Sequence, residues 1–211
     1  MQISKEIGIN PKKACKICKP FFCALKKMEK LKIAIQKSGR LSEKSLGIIK
    51  EAGIKLTSGK RDLLAQANSF PIEILYLRDD DIPQYVQDGV ADIGFVGEDV
   101  FLEKNKVLDI ALRLGFSRCR LSMAIPKSAT YTGIEWFNGK KIATSFPGIL
   151  SRFLEERGIE ARIHEISGSV EIAPGIGLAD CICDLISSGS TLVSNQLKEL
   201  SPNLYKKIFT K

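Results

Sequence analysis

The sequence predicts an α/β protein of two lobes, with mostly parallel sheets around a cleft. Short apolar stretches of strand length alternate with amphipathic stretches of helical length, which is the pattern of repeated βαβ units. The alternation restarts after Arg118, and this restart predicts the second lobe. Hydrophobic residues make up 44% of the 211 residues, enough for a sizeable core in each lobe.

The first lobe is predicted to comprise residues 28–117 together with residues 192–211. Compact apolar runs mark its strands, while capping residues, proline and glycine set the limits of its helices. In chain order the predicted elements are strand Leu31–Gln36, helix Ser42–Ala52 ended by Gly53, strand Ile72–Leu77, a short helix capped by Asp81 with Pro83 in its first turn and Gly89 at its end, and strand Ala91–Val96.

The second lobe is predicted to span residues 118–191. Cys181 and Cys183, two positions apart in an apolar run, are predicted to point to one face of a strand as small buried thiols. The predicted elements are strand Leu121–Ile125, strand Lys140–Thr144, helix Ile149–Arg157 ended by Gly158, strand Ala161–Ile166, strand Ala179–Ile186, and the loop Ser187–Thr191, which opens onto a helix from Leu192.

Residues 1–27 are predicted to form a disordered basic extension, because they lack the apolar periodicity that docking on a core requires. Residues 1–30 hold eight lysines and two acids, and so carry +6 of the net charge of +8. A nucleic-acid function would therefore rest on the extension alone. The extension contains Cys15-x-x-Cys18 and Cys23, but no fourth ligand follows at the spacing of a zinc finger.

Several classes of protein are excluded or disfavoured by composition. No apolar run approaches the roughly 18 residues of a membrane span, and no clear secretory signal is present. The six cysteines do not suggest a disulfide framework, which predicts a reducing, cytoplasmic setting. The single histidine, His164, excludes a zinc site built on several histidines, and it is interpreted as a structural or surface residue.

The most informative constellation runs from Asp180 to Thr191. Asp180 and Asp184, four positions apart on a predicted strand, are expected to share a face. The loop that follows is rich in hydroxyls, and its N–H groups and the next helix N-terminus are suited to a phosphate. Carboxylates beside a phosphate site would accept from sugar hydroxyls, so the pattern favours a sugar phosphate. The alternative is an ordinary strand-to-helix turn with two solvated acids.

Charged residues also cluster at the predicted strand ends of the first lobe. Lys37 and Arg40 lie in a strand-to-helix loop, where a polyphosphate would meet both charge and helix dipole, unless the loop is simply solvated. Arg78 precedes Asp79–Asp81, which are either functional or helix caps and sheet-edge charges. Glu171 either helps to hold magnesium or a ribose, or caps its own helix.

The stretch Asp180–Thr191 resembles the loop of phosphoribosyltransferases that binds phosphoribosyl pyrophosphate (PRPP). In its wider context, from Gly168 through Glu171 to Leu192, it resembles the family motif of ATP phosphoribosyltransferase. Further segments resemble the same family in the same order, so that the resemblance runs from about Met28 to about Glu199: Ile33–Leu41, Arg78–Pro83, Asp92–Glu98 and Gly139–Pro147.

The resemblance implies a periplasmic-binding-protein type II architecture and the first reaction of histidine biosynthesis. N1 of the adenine of ATP attacks C1 of PRPP, and phosphoribosyl-ATP and pyrophosphate form. No catalytic side chain is required, since the reaction depends on positioning and electrostatics. The implied cofactor is Mg2+, bound mainly through substrate oxygens without an all-protein site.

The resemblance also implies a division of roles among site residues. Asp184 and Asp180 would bind the ribose of PRPP, and the loop residues Ser187, Ser188, Gly189, Ser190 and Thr191 would bind its 5-phosphate. Lys37, Arg40 and Arg78 would bind ATP or polyphosphate, and Glu171 either Mg2+ or ribose. The implied assembly is a homo-oligomer, or a hetero-oligomer with a subunit resembling histidyl-tRNA synthetase. Neither nucleic acid nor membrane is expected as a partner.

The sequence departs from the family after Glu199. The segment from Leu200 to Lys211 does not have the pattern of the strands that would return to the first lobe, and the C-terminal regulatory domain of long family members is absent. A truncated or frameshifted chain is one interpretation. The competing hypothesis is a non-enzymatic two-lobed protein that binds an anion or small molecule, although such a protein has no need of carboxylates beside its phosphate site.

Overall fold

A computed structural model describes residues 5–9, 30–57, 63–117 and 119–200. The chain divides into two compact units, and the first of them ends at Ser117. Each unit contains one β-sheet with helices, so the predicted α/β class and the restart of the pattern near Arg118 are confirmed. No helix among the described residues combines the length and apolar character needed to cross a membrane.

The first unit is built on a seven-stranded mixed sheet. Its order is β3-β4-β5-β2-β6-β1-β7, with the parallel pairs β5-β2 and β2-β6 at the centre and antiparallel pairs on both sides. The strands are β1 (Lys5–Ile9), β2 (Leu31–Gln36), β3 (Leu56–Thr57), β4 (Leu64–Ala67), β5 (Ile72–Leu77), β6 (Ile93–Gly97) and β7 (Asp109–Arg113).

Helices α1 (Arg40–Glu51), α2 (Ile82–Gln87) and α3 (Glu98–Lys104) complete the first unit. Alternate residues of β2 enter two different cores, as strand geometry requires. Ile33 and Ile35 pack with Ile49 of α1, whereas Ala34 packs with α2 and α3. Both faces of the central strands are therefore buried, which explains why those strands read as continuous apolar runs.

The short helix α2 begins as predicted but without the expected cap. A 3-10 turn, Asp79–Asp81, precedes it, and Pro83 lies in its first turn. Asp81 occupies the N-cap position, yet its side chain makes no capping hydrogen bond. Gly89, in the left-handed region at φ 72°, follows the end of the helix as the sequence indicates.

The second unit contains a five-stranded mixed sheet of order β10-β9-β11-β8-β12. β9 pairs in parallel with both β10 and β11, while β8 pairs antiparallel with β11 and β12. Cys181 and Cys183 lie two positions apart on β11, and both are buried. The strands and α-helices of the second unit are β8 (Arg120–Pro126), β9 (Lys141–Thr144), α4 (Pro147–Glu155), β10 (Arg162–Glu165), β11 (Cys181–Ile186), α5 (Ser190–Ser194) and β12 (Leu197–Glu199).

The expected return of residues 192–211 to the first unit is wrong for the part that is described. β12 pairs antiparallel with β8, so residues up to 200 belong to the second unit. The physical reason is the connection: α5 is only five residues long, and a tight turn with Gln196 at φ 56° reverses the chain directly beside β8. Residues 201–211 lie outside the described residues.

The expectation of disorder for residues 1–27 is also wrong for one segment. Residues 5–9 form β1, which pairs antiparallel with β6 on one side and β7 on the other. The sequence Lys-Glu-Ile-Gly-Ile places isoleucine at alternate positions, a strand pattern that the dominant positive charge of the segment obscures. Residues 10–27, including Cys15, Cys18 and Cys23, lie outside the described residues.

Candidate functional site

The loop Ser187–Thr191 follows β11 directly and leads into α5. Gly189 adopts φ 82° and ψ 0° at the N-cap of α5, a left-handed conformation that favours glycine. The Ser188 and Ser190 hydroxyls lie 2.9 Å apart and share a hydrogen bond. The turn therefore places two hydroxyls and the start of a short helix together on an exposed surface.

The loop retains unused hydrogen-bond donors. Among the described residues, the backbone N–H groups of Ser188 and Gly189 donate to no protein acceptor. Ser190 N–H makes only a long contact of 3.4 Å with the Ser188 hydroxyl. Successive free N–H groups beside hydroxyls form a suitable concave site for an anion such as phosphate.

Asp184 lies on β11, two residues before the end of the strand. Its Oδ1 accepts a hydrogen bond of 2.8 Å from the N–H of Leu185. Burial raises the pKa of Asp184, the hydrogen bond from Leu185 lowers it, and the charge of Glu171 adds a smaller increase, so that the pKa is about 6. A carboxyl group whose pKa is raised toward neutral pH, beside a loop rich in hydrogen-bond donors, is typical of a functional site.

Glu171 belongs to a short turn that contacts the strand of Asp184. It lies in the 3-10 turn Val170–Ile172, which packs against β11 and follows Ser169 in the left-handed region at φ 52°. Its charge contributes to the raised pKa of Asp184. Glu171 therefore belongs with Asp184 in the candidate site.

Asp180 is at the opposite end of β11, which corrects its predicted role beside the phosphate loop. Its Oδ2 accepts from Lys141 N–H at 2.8 Å, and its own N–H donates to Lys141 O at 2.8 Å. Six strand residues separate it from Ser187, a distance of roughly 20 Å. Asp180 instead joins the beginnings of β9 and β11.

Three predicted cationic residues lie at the carboxyl edge of the first sheet. Gln36 and Leu77 are paired in the parallel strands β2 and β5, so Lys37 and Arg78 emerge side by side. Arg40 is the first residue of α1, and Gly39 before it has φ 99° and ψ 179°, which only glycine adopts readily. All three cations are exposed, at a strand edge where α/β proteins commonly bind ligands.

Two residues next to the loop, Arg120 and Glu199, were not predicted from the sequence. Arg120 at the start of β8 donates from Nη1 to the carbonyl oxygen of Ser187 at 3.1 Å. Its Nε and Nη2 atoms donate to the two carboxylate oxygens of Glu199 on β12, at 2.6 and 2.5 Å. Arg120 and Glu199 are 79 positions apart, so only the order of the strands could have revealed the pair.

The loop Ser187–Thr191 and Asp184 lie at the carboxyl end of one strand, β11. Free loop donors at a strand end with a carboxylate on the same strand are the geometry by which α/β proteins commonly bind phosphorylated ligands. A family model described as HisG, ATP phosphoribosyltransferase, matches residues 78–207. The chain belongs to the ATP phosphoribosyltransferase family, which confirms the resemblance found in the sequence.

Individual relatives agree with this assignment. ATP phosphoribosyltransferase of Parabacteroides distasonis is 64% identical over 170 residues, covering 81% of this chain and 60% of the relative. The protein of the same name from Cytophaga hutchinsonii is 63% identical over 169 residues, covering 80% and 59%. The chain thus spans about 60% of the length of these relatives.

A solved structure supports the fold as well as the family. A chain of the ATP phosphoribosyl transferase (HisG:HisZ) complex from Thermotoga maritima is 37% identical, with a TM-score of 0.71. The match covers 81% of this chain and 81% of that chain.

Proposed function

We propose that this chain carries the substrate-binding part of an ATP phosphoribosyltransferase, which transfers a phosphoribosyl group from PRPP to N1 of the adenine of ATP. The products are phosphoribosyl-ATP and pyrophosphate, in the first step of histidine biosynthesis. The observation that carries the proposal is the donor-rich loop Ser187–Thr191 beside Asp184, in a chain that belongs to this family. Family membership disfavours the alternative of a non-enzymatic anion-binding protein.

The loop would hold the 5-phosphate of PRPP. The free N–H groups of Ser188 and Gly189 and the hydroxyls of Ser187, Ser188, Ser190 and Thr191 supply donors on one exposed surface. Asp184 and Glu171 would accept hydrogen bonds from the ribose hydroxyls, since ionised carboxylates are acceptors only. Asp180 is left out of this role because it is bound at the far end of β11.

The cations Lys37, Arg40 and Arg78 would offset the negative charge of ATP or of the pyrophosphate group. Lys37 and Arg78 lie side by side at the ends of paired strands, and Arg40 lies at the N-terminus of the 12-residue helix α1. Oriented N–H groups and nearby cations favour a polyphosphate at such a position. Arginine adds planar, bidentate recognition of phosphate oxygens.

The reaction itself requires little covalent chemistry from the protein. N1 of adenine has its own lone pair, so the bond to C1 of PRPP forms as the bond to pyrophosphate breaks. The carboxylate of Asp184 would favour the positive charge that develops near C1. When bound, Mg2+ would neutralise pyrophosphate oxygens; Asp184 and Glu171 are hard oxygen donors suited to it, and the described residues contain no cluster of three metal-binding side chains.

Assembly and location complete the proposal. The related Thermotoga maritima chain comes from a HisG:HisZ complex, which supports a hetero-oligomer with a histidyl-tRNA-synthetase-like subunit for this chain as well, or a homo-oligomer. A biosynthetic enzyme that uses ATP and PRPP is proposed to act in the cytoplasm.

Calorimetry and product analysis test this proposal together. The chain is titrated with PRPP and with ATP, each with Mg2+, and the mixture is analysed for phosphoribosyl-ATP and pyrophosphate. Ribose 5-phosphate serves as a matched control, since it has the 5-phosphate but no pyrophosphate group to leave. We expect both PRPP and ribose 5-phosphate to bind, and only PRPP to yield product.

Binding and turnover are read separately because the chain is shorter than its relatives. Binding of both substrates, with turnover that needs an added histidyl-tRNA-synthetase-like subunit, still supports the proposal. Failure to bind PRPP or ribose 5-phosphate at millimolar concentration would overturn it.

A further inference from the structure

The guanidinium group of Arg120 joins three strands or loops of the second unit. In the order β11-β8-β12, β8 lies in the middle, and Arg120 is its first residue. Because β8 is antiparallel to β11, its start lies opposite Ile186 at the end of β11. Arg120 is therefore placed directly where the loop Ser187–Thr191 begins.

All three nitrogen atoms of this group have protein partners. Nε and Nη2 form a bidentate pair with Glu199, and Nη1 donates to the carbonyl oxygen of Ser187. The planar fork of arginine fixes these three directions relative to one another. The position of the Ser187 carbonyl is thus tied to the position of Glu199 on β12.

The pair is a poor candidate for direct phosphate binding. The negative charge of Glu199 offsets the positive charge of Arg120, with contacts of 2.5 and 2.6 Å. The hydrogen bond from Arg120 lowers the pKa of Glu199, so the carboxylate remains ionised at neutral pH. The remaining hydrogen bond is made to the protein backbone and not to the space where a ligand would lie.

Asp184 lies on the same face of the second sheet as Arg120. Arg120 and Ser122 alternate on β8, and Ser122 lies opposite Asp184 on β11. Glu199 lies opposite Ala124 and so shares this face. Arg120, Glu199 and Asp184 therefore lie on one face of the sheet.

We infer that Arg120, held by Glu199, is a positioning residue that fixes the loop Ser187–Thr191 in the conformation that receives a sugar 5-phosphate. The inference rests on the proposed function for the identity of that ligand. Arg120 acts through the Ser187 carbonyl and touches no substrate. Loss of the group is expected to weaken phosphate binding without affecting the adenine nucleotide.

The central test compares Arg120→Lys with Arg113→Lys. Lysine keeps the charge but cannot bond to Glu199 and Ser187 in the fixed fork geometry. Arg113, paired with Glu98 at 3.0 Å in the first unit, is a matched control for loss of an arginine ion pair. We expect Arg120→Lys to weaken PRPP binding about tenfold, a change of about 1.4 kcal/mol, with ATP affinity unchanged. Arg113→Lys should leave PRPP affinity unchanged.

A charge-swapped double variant, Arg120→Glu with Glu199→Arg, separates positioning from stability. The swap restores an ion pair, but the glutamate at position 120 cannot donate to the Ser187 carbonyl. We expect the melting temperature to recover relative to Arg120→Glu alone, while PRPP affinity remains low. Full recovery of PRPP affinity with stability would overturn the inference, since the pair would then be merely structural.

Hydrogen exchange of the amides bonded to the loop decides the matter independently of any ligand. Arg120→Lys should accelerate exchange at Val193 and Asn195, whose N–H groups donate to the Gly189 and Thr191 carbonyl oxygens of the loop, and leave the amides of β9 and β10 unchanged. Equal exchange of these amides in Arg120→Lys and Arg113→Lys would overturn the inference. If the parent chain binds no PRPP, the proposed function fails, but accelerated exchange of these amides still supports the positioning role of Arg120.

Discussion

At the scale of single residues, the hydroxyl of Thr191 offers the cleanest test of the phosphate loop. Valine has nearly the shape of threonine but cannot donate a hydrogen bond. Thr191→Val should therefore weaken PRPP binding by roughly 1–3 kcal/mol, the cost of leaving a charged acceptor without a donor. Calorimetry with PRPP and Mg2+ measures this directly. Unchanged affinity would remove Thr191 from the site.

Asp184→Asn should lower turnover while raising stability above pH 6. The pKa of Asp184 is raised to about 6 in the folded chain, against about 3.9 in unfolded chains. The folded state therefore binds more protons, and the parent loses stability as pH rises from about 4 to about 6. Asparagine removes this loss, worth about 1–2 kcal/mol after allowance for solvent.

Unfolding of both forms at pH 4 and pH 8, with phosphoribosyl-ATP formation measured beside it, checks the prediction. A histidyl-tRNA-synthetase-like subunit is added if the parent requires one. An Asn variant with full turnover would show that the charge of Asp184 has no part in the reaction. A variant that is less stable at both pH values would make Asp184 a structural residue.

Site residues could be predicted from the sequence where they are neighbours along the chain. The loop from Ser187 to Thr191 follows a strand in both sequence and structure, so its composition was sufficient. The predicted role of Asp180 was wrong because two residues on the same face of a strand can lie far apart along it, and the whole of β11 separates Asp180 from the loop. Arg120 and Glu199 could not be found, because their contact depends on β8 lying between β11 and β12.

At the scale of elements, substitution of two glycines by alanine is predicted to have opposite effects on stability. A Cβ atom at Gly94 on β6 would lie 2.6 Å from Ile82 Cγ2 and 2.9 Å from Val86 Cγ2, since α2 packs closely there. Gly94→Ala should destabilise the chain by about 1–3 kcal/mol through overpacking. At Gly47, within α1, a Cβ atom meets nothing within 4 Å. Gly47→Ala should stabilise by about 0.5–1 kcal/mol.

Denaturant unfolding of the two alanine variants checks this pair of predictions. Equal effects at both positions would mean that α2 can move away from β6 at little cost. Gly47→Ala is a matched control for Gly94→Ala, because each substitution adds one methyl group to the chain.

Elements with strong periodicity were predicted well, and elements that depend on pairing were not. The apolar runs of β2, β5 and β6 give strands because both faces are buried. The hairpin of β3 and β4 and the exposed strand β7 were missed. In β7, Ile110 and Leu112 alternate with other residues, but the pattern covers only five residues, all of them exposed. The sheets are mixed because chain reversals such as that at Gln196 add antiparallel strands at the edges.

At the scale of the whole molecule, removal of residues 1–27 should destabilise the first unit. The described pairings of β7 involve only β1, so the shortened chain loses one strand and releases another. We expect a loss of about 2–3 kcal/mol, a fall in melting temperature of roughly 5–10 °C. A chain beginning at Ser4 keeps β1 and should melt like the parent. Equal melting of both shortened chains would show that β1 contributes nothing.

The place of β1 also affects how the chain reaches its folded state. β1 belongs to the beginning of the chain, yet both of its partners, β6 and β7, lie far along it. Its pairing is therefore a non-local event that must wait for the centre of the sheet to form, and such events slow folding. Until β1 arrives, β6 presents an open edge that can capture a strand from another copy. Aggregation during refolding should thus rise steeply with protein concentration, even though the finished sheet covers that edge.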